Sequence, residues 1–377
     1  LMIRRPPRST HCISSAASDV YKRQMGIEEA TLTQMEAEEQ AYVDAGRAAM
    51  EARPWPDGDS VRRGVTTLHD ADSHSMQLER ISSPAEEIEP SVEPGETTLQ
   101  FSGEANAWSY SRAIQNAMVA IAEMYGASTV FMGEDMEVSG AFGMNVPLKN
   151  QGHSDLLLDM PLSEALIIHA ATGAALGGMR PVAEIQFGGF AALAINALIN
   201  NAAQLRWRWG ADVPMVVRIP LGAKTRSGPF HANMIESWFL NDPGLVIVFP
   251  SNPQDAYDLL VEAAALPDPV VYLEHLGMYG LRGGMTGRGD RIHMQVDTES
   301  VAQAIKSGDT YKLGKANIVR GGSDATIVTW GAMVQKSIEG VKSLGLPDGM
   351  VEIIDLRTLN PLDTVSYTHL TLPTICS

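Results

Sequence analysis

The chain has 377 residues, 45% of them hydrophobic and 19% charged, a globular composition with enough apolar residues for a sizeable core. No run approaches the roughly 18 apolar residues of a membrane span, and a net charge of −17 excludes a broad basic face for nucleic acid. With only two cysteines, Cys12 and Cys376, neither a disulfide framework nor a Cys-based zinc site is available.

The charge is unevenly placed. Residues 1–24 carry four Arg, one Lys and one Asp, whereas residues 25–97 carry 17 acids and five Arg. The acidity therefore reads as a solvated segment rather than a ligand site. Residues 1–24 are Arg- and Ser-rich like a transit peptide, but Pro6-Pro7 breaks an early helix. This string and residues 365–377 resemble translated sequencing-adapter sequence. Both are expected to lie outside the fold, and the gene is expected to extend beyond the chain in both directions.

Taken in chain order, Met25 to about Ala52 predicts a helix rich in Glu, Gln and Ala, ended by Pro54 and Pro56. Residues 57–97 have linker composition. From about Thr98 the character changes. Ile114, Ala117, Met118, Ile121 and Tyr125 predict an amphipathic helix. Thr129 to Met132 is a short apolar run ending at Gly133-Glu134-Asp135, and Ser163 to Leu176 reads as a second helix. Strands are predicted over Pro181–Ile185, Val213–Ile219, Leu245–Phe249 and Val270–Leu273, with helices over Ala191–Arg208, Ile235–Leu240 and Pro253–Ala265. This alternation predicts an α/β fold with a parallel sheet flanked by helices, and ligands beyond the carboxyl ends of its strands. After a Gly-rich loop, Gly283 to Gly289, a second unit is predicted from strands Ala325–Trp330 and Val351–Asp355 and a helix over Met333–Leu344.

The sequence has no P-loop, no G-x-G-x-x-G after a strand and no H-E-x-x-H, and its nine His show no metal spacing. The cluster Gly173, Gly177 and Gly178 reads as close helix–sheet packing. Glu164 opens an apolar helix. It is either a first-turn carboxylate favoured by the helix dipole or an acid–base group held in apolar surroundings. His231 lies in a loop after a strand, where it is either solvated or catalytic.

Several strings then occur in one order over about residues 98–364: Gly133-Glu134-Asp135, Asp159-Met-Pro-Leu-Ser-Glu164-Ala, Gly178-Met-Arg180-Pro181-Val-Ala-Glu184-Ile-Gln-Phe187, Arg218-Ile-Pro220, Pro250-Ser-Asn-Pro253-Gln-Asp255-Ala and Ile354-Asp355-Leu-Arg357-Thr-Leu. They resemble the beta subunit of the thiamine-diphosphate-dependent decarboxylating component of 2-oxo acid dehydrogenase complexes. The resemblance implies a thiamine-diphosphate-binding fold: a pyrimidine-binding α/β domain over residues 98–290 and a truncated transketolase C-terminal-type α/β domain over 291–364. Residues 25–97 are similar to the helical tail of the alpha-type half plus an acidic linker, which implies a parent in which the two halves are fused.

Carried over position by position, the resemblance implies that Glu164 bonds the aminopyrimidine ring, that Phe190 packs on it and that His231 lies near the thiazolium carbon and steers acyl transfer. Glu164 and His231 are thus the implied catalytic residues, and Glu164, Phe190 and Glu134 the implied cofactor-binding ones, with no metal ligand on this chain. The Mg2+ that holds the diphosphate is expected on the alpha half. The implied partners are an alpha subunit or half, a second beta half and the lipoyl domain of the acyltransferase component, with no nucleic acid and no membrane. The implied location is the cytoplasm in a bacterium or the mitochondrial matrix in a eukaryote.

Two departures stand out. The family's usual His-Ser-Gln is His231-Ala232-Asn233 here, and Leu266 stands where some relatives carry a potassium-binding Asp. Pyruvate, branched-chain 2-oxo acids and acetoin all fit as substrates, with the fused arrangement favouring branched-chain acids. The chain alone is expected to be inactive. The alternative is a transketolase-group thiamine enzyme acting on sugar phosphates.

Overall fold

The computed structural model describes residues 29–53, 107–222, 228–279 and 293–364. The two end strings, the acidic segment 57–97 and the Gly-rich loop lie outside these residues. The chain divides into two compact units at Val61/Arg62. In the first, α1 spans Glu29–Glu51. Its polar surface is laced by i,i+4 pairs, Gln34 to Glu38, Gln40 to Asp44 and Arg47 to Glu51, which support a helix lacking a broad apolar stripe.

The second unit is built on a seven-stranded sheet. Its strands are β2 (Thr129–Gly133), β3 (Leu157–Asp159), β4 (Arg180–Glu184), β5 (Val216–Leu221), β6 (Val246–Val248), β7 (Val270–His275) and β12 (Thr358–Asn360). Their order is β12-β6-β7-β5-β4-β2-β3, parallel throughout except for β12 against β6. Every residue of β5 and β7 is buried, as expected of central parallel strands covered on both faces.

The helices start where local chemistry allows. Ser109 caps α2 (Tyr110–Tyr125) by accepting from the Arg112 N–H at 3.3 Å. Asn252 caps α6 (Pro253–Ala265) by accepting from the Asp255 N–H at 2.9 Å, with Pro253 at the first helical position. Helix α4 (Glu164–Leu176) buries Ile167, Ile168, Ala171 and Ala175, one face at helical spacing. Short elements complete this layer: β1 (Trp108–Ser109), α3 (Val146–Asn150), α5 (Leu205–Trp209) and β8 (His293–Met294) paired with β1. Residues Val301 and Leu313 join the same core, so helix α7 (Glu299–Ser307) packs with the large sheet.

A smaller sheet holds β9 (Asn317–Arg320), β10 (Gly322–Thr329) and β11 (Gly349–Asp355) in the order β10-β11-β9. Helix α8 (Ala332–Ser343) links the parallel pair β10 and β11, and its Val341 packs with Val351 and Ile353 of β11. Acids of α6 clasp the connecting segment. Glu262 accepts from the N–H groups of Tyr311, Lys312 and Leu313 at 2.7, 2.8 and 3.1 Å. Lys312 bridges Asp255 and Asp258, and Arg357 also reaches Asp255.

Three expectations are corrected. The helix expected over Ala191–Arg208 is broken into 3-10 turns, a π-helical turn at Asn196–Asn201 and the short α5. The helix expected over Ile235–Leu240 is only the 3-10 turn Glu236–Trp238. The glycines Gly173, in α4, and Gly178, just after it, do not make close helix–sheet packing. A Cβ at Gly173 or Gly178 would meet open space, and Gly178 instead supplies a positive φ of 92° where the chain leaves the helix.

Candidate active site

The four residues singled out by sequence follow four neighbouring strands. His231 comes after β5, Phe190 after β4, Glu134 after β2, and Glu164 after β3 at the first position of α4. In the sheet these strands run β5-β4-β2-β3, all parallel, so the four residues form a row beyond their carboxyl ends. That edge is where open α/β sheets bind ligands.

The row divides into an aromatic part and an acidic part. Phe187, Phe190 and His231 make a three-ring cluster. Phe187 and His231 lie 4.6 Å apart at 87°, while Phe190 is 5.5 Å from each at 71°. Two glycines between the phenylalanines let the His231 loop lie this close. A Cβ at Gly188 would sit 2.9 Å from the Leu221 Cβ and 3.0 Å from the Asn233 carbonyl. One at Gly189 would sit 3.0 Å from the Phe230 carbonyl. The His231 Nδ1 is buried and has no hydrogen-bond partner among the described residues.

Glu134 and Glu164 are both buried at the acidic part. Burial, and then the charges of Glu164, Asp135 and Glu184, push the Glu134 carboxyl above its ordinary range. Asp159 fixes the adjoining loop by accepting from the Glu137 N–H at 2.7 Å, and the Met160 N–H donates to the Gly133 carbonyl at 2.7 Å. Among the described residues, no hydrogen bond or ring contact joins the acidic pair to Phe190 or His231 directly. Helix α4 does touch the 188–194 segment, and Phe190 packs against the core cluster that contains Ile167 and Ile168.

Sequence reading missed the groups beneath this row. Arg218, wholly enclosed in β5, donates to Glu184 at 2.6 Å and to both oxygens of Glu274 at 2.6 and 2.9 Å. The Tyr279 hydroxyl also donates to Glu274. Glu184 and Arg218 stood in the quoted strings, yet no periodicity reveals that two carboxylates and a guanidinium meet inside a sheet. Near the supposed potassium position, the Arg180 guanidinium donates to the carbonyls of Ala264 and Leu266 at 2.7 and 3.1 Å. Among the described residues, no group of three or more His, Cys, Asp or Glu could hold a metal ion, and no helix is long and apolar enough to cross a membrane.

A parallel sheet with an acid-and-aromatic row at its carboxyl edge, followed by a small α/β unit, defines a transketolase-type arrangement. Residues 106–280 match the family described as transketolase, pyrimidine binding domain, and residues 314–371 match transketolase, C-terminal domain. A solved structure, a split-gene transketolase described as an inactive beta4 tetramer, is similar in fold. Its TM-score is 0.51 at 17% identity, covering 69% of this chain and 74% of that one.

Closer in sequence is the beta subunit of acetoin:2,6-dichlorophenolindophenol oxidoreductase from Cupriavidus necator, 39% identical over 233 residues, which are 61% of this chain and 63% of that one. The 2-oxoisovalerate dehydrogenase beta subunit of Bacillus subtilis is 36% identical over 259 residues, 68% of this chain and 73% of that one. The pyruvate dehydrogenase E1 component beta subunit of Staphylococcus aureus is 35% identical over 237 residues, 62% and 67% respectively. The chain belongs to this family of beta subunits of 2-oxo acid dehydrogenase complexes, built from transketolase-type domains. It spans just under two thirds of the length of the acetoin-enzyme subunit.

Proposed function

We propose that this chain provides the pyrimidine-binding side of a thiamine diphosphate site in a 2-oxo acid dehydrogenase, which decarboxylates a 2-oxo acid and passes the acyl group to a lipoyl arm. The observation that carries the reading is the row of Glu134, Glu164, Phe190 and His231 beyond four adjacent parallel strands. The residues fit an aminopyrimidine. Glu164 offers a buried carboxyl at a helix start, Phe190 offers a half-buried ring face, and His231 holds a buried Nδ1 with no hydrogen-bond partner among the described residues. The beta-subunit relatives favour this reading over a sugar-phosphate enzyme.

When bound, thiamine diphosphate supplies the carbon nucleophile and electron sink that decarboxylation requires. The protein's part is proton placement and shape. Glu164 shares a proton with a ring nitrogen, and Glu134, whose own ionisation is disfavoured by burial and by Glu164, limits the negative charge beside it. Phe190 covers the ring and excludes water. His231 exchanges a proton at an imidazole nitrogen during acyl transfer. Loss of the usual neighbouring hydroxyl at Ala232 leaves that task to His231. The Mg2+ and diphosphate belong to an alpha subunit or half. Val301 and Leu313 lie in the buried core of the large sheet, which supports counting residues 293–313 with the pyrimidine-binding domain instead of with the C-terminal one.

The test is Glu164→Gln in the complex with an alpha partner. Turnover is expected to fall roughly 100- to 10,000-fold, the range for a lost acid–base group. Stability is expected to change by no more than about 0.3–1 kcal/mol, the worth of a helix-start charge. Exchange of the thiazolium proton, followed by quenched-flow NMR, must slow in parallel. Unaltered exchange would make Glu164 a helix-start carboxylate only.

A further inference from the structure

His231 is held in an unusual way for a polar side chain. Its buried Nδ1 has no hydrogen-bond partner among the described residues, while its ring packs on Phe187 and Phe190. Those contacts continue well beyond the site. Phe187, which meets His231 edge to face, meets Phe142 in the same manner at 5.4 Å and 82°. Phe142 in turn meets Tyr279 at 5.8 Å and 85°. Edge-to-face contacts are directional, because the positive rim of one ring faces the negative face of the next. A tilt at one ring is therefore felt by its neighbour.

The train is tied to one buried charge cluster at two of its rings, Tyr279 and Phe187. At the far end, the Tyr279 hydroxyl donates to Glu274, and its carbonyl accepts from Ser111 Oγ at 3.0 Å. Glu274 is gripped by Arg218, and Arg218 also holds Glu184. At Phe187, next to His231 in the train, the tie is through the chain: Glu184 closes β4, from which the chain runs directly to Phe187. We propose that Phe142 and Tyr279 are positioning residues for His231, transmitting the fixed geometry of the Glu184–Arg218–Glu274 cluster through Phe187 to the imidazole. The inference rests on the role given to His231 above.

The experiment uses the full chain with 13C-labelled histidine. The His231 ring resonance is identified by its disappearance in His231→Gln. In Phe142→Leu, which removes the middle ring, this resonance is expected to shift and its cross-peaks to the Phe187 ring to be lost. In Phe142→Tyr, which keeps the ring, both should return toward wild type. Tyr279→Leu should give the same displacement as Phe142→Leu. Phe131→Leu, a cut in a buried ring outside the train, should lower stability without moving the His231 signal.

An unmoved resonance in folded Phe142→Leu, or an equal movement in Phe131→Leu, would overturn the proposal. In the complex with the alpha partner, Phe142→Leu should lower kcat for acyl transfer and leave KM for the 2-oxo acid unchanged. The role of His231 itself is judged separately. If His231→Gln transfers acyl groups normally, that role fails even where the ring displacement is observed.

Discussion

Arg218 offers the sharpest test of what holds the sheet together beneath the site. Its side chain is 1% exposed, and the two carboxylates it joins, Glu184 and Glu274, are 2% and 0% exposed. Arg218→Met keeps most of the aliphatic stem and deletes the charge. Two carboxylates then remain enclosed without their cation. Breaking a buried pair in this way costs about 3–5 kcal/mol, roughly two to four orders of magnitude in the folding equilibrium. Burial already pushes the Glu184 carboxyl up, while Arg218 pulls it down. Without Arg218 the folded-state value rises further, so the variant loses stability as the pH climbs through that range and regains it in acid.

Urea unfolding of variant and wild type, followed by tryptophan fluorescence at acid and alkaline pH, reads the difference. The deficit should be larger on the alkaline side. Replacing all three charges, as Arg218→Met with Glu184→Gln and Glu274→Gln, should recover most of the loss, since no unpaired charge stays buried. A deficit under about 1 kcal/mol, the worth of an exposed ion pair, would refute the reasoning. So would one that grows in acid.

Two further perturbations follow from other parts of the molecule. Asp355 is enclosed, accepts from Ser251, and is pushed up to about 7 by burial and then by the charge of Asp255. An unfolded Asp titrates near 3.9, so the stability this group contributes in acid is lost as the pH rises from about 4 to about 7. Asp355→Asn should therefore gain on wild type across that window and hold a constant lead above it. Denaturant midpoints against pH would contradict this if the lead were flat throughout. Gly188→Ala places a methyl against the Leu221 Cβ and the Asn233 carbonyl. It should cost about 1–3 kcal/mol by overpacking and displace the His231 loop, seen as lost acyl transfer. Full activity would show that the loop does not depend on that close approach.

Much of this architecture was legible in the residues, and the reasons differ by element. The bounds of α6 were read correctly because Asn252 and Pro253 mark its start chemically and its apolar spacing is regular. Helix α4 was equally plain. The broken stretch from Gly188 to Trp209 was not, because its small and apolar residues satisfy helical spacing while turns of different pitch meet the local packing. Strand order is set by crossovers and leaves no local trace. The site divides along the same line. Glu134 and Glu164 fall in strings that resemble a known family, and Phe190 and His231 were named by carrying that resemblance over to positions beyond the strings. Phe142, Phe187 and Tyr279 meet only in three dimensions, and Arg218 sits in a strand where complete burial erases any alternation of polar and apolar positions.

The strand β12 has a consequence for how this protein can be made. After completing the smaller sheet, the chain returns and pairs Thr358 with Val248 on the edge of the larger one. During synthesis, β6 must therefore wait with an open rim until the later residues emerge. Such a rim is an invitation to pair with another chain. A recombinant piece ending before Thr358 would keep that rim permanently bare, so expression of the first domain by itself should favour aggregates unless the returning strand is grafted back.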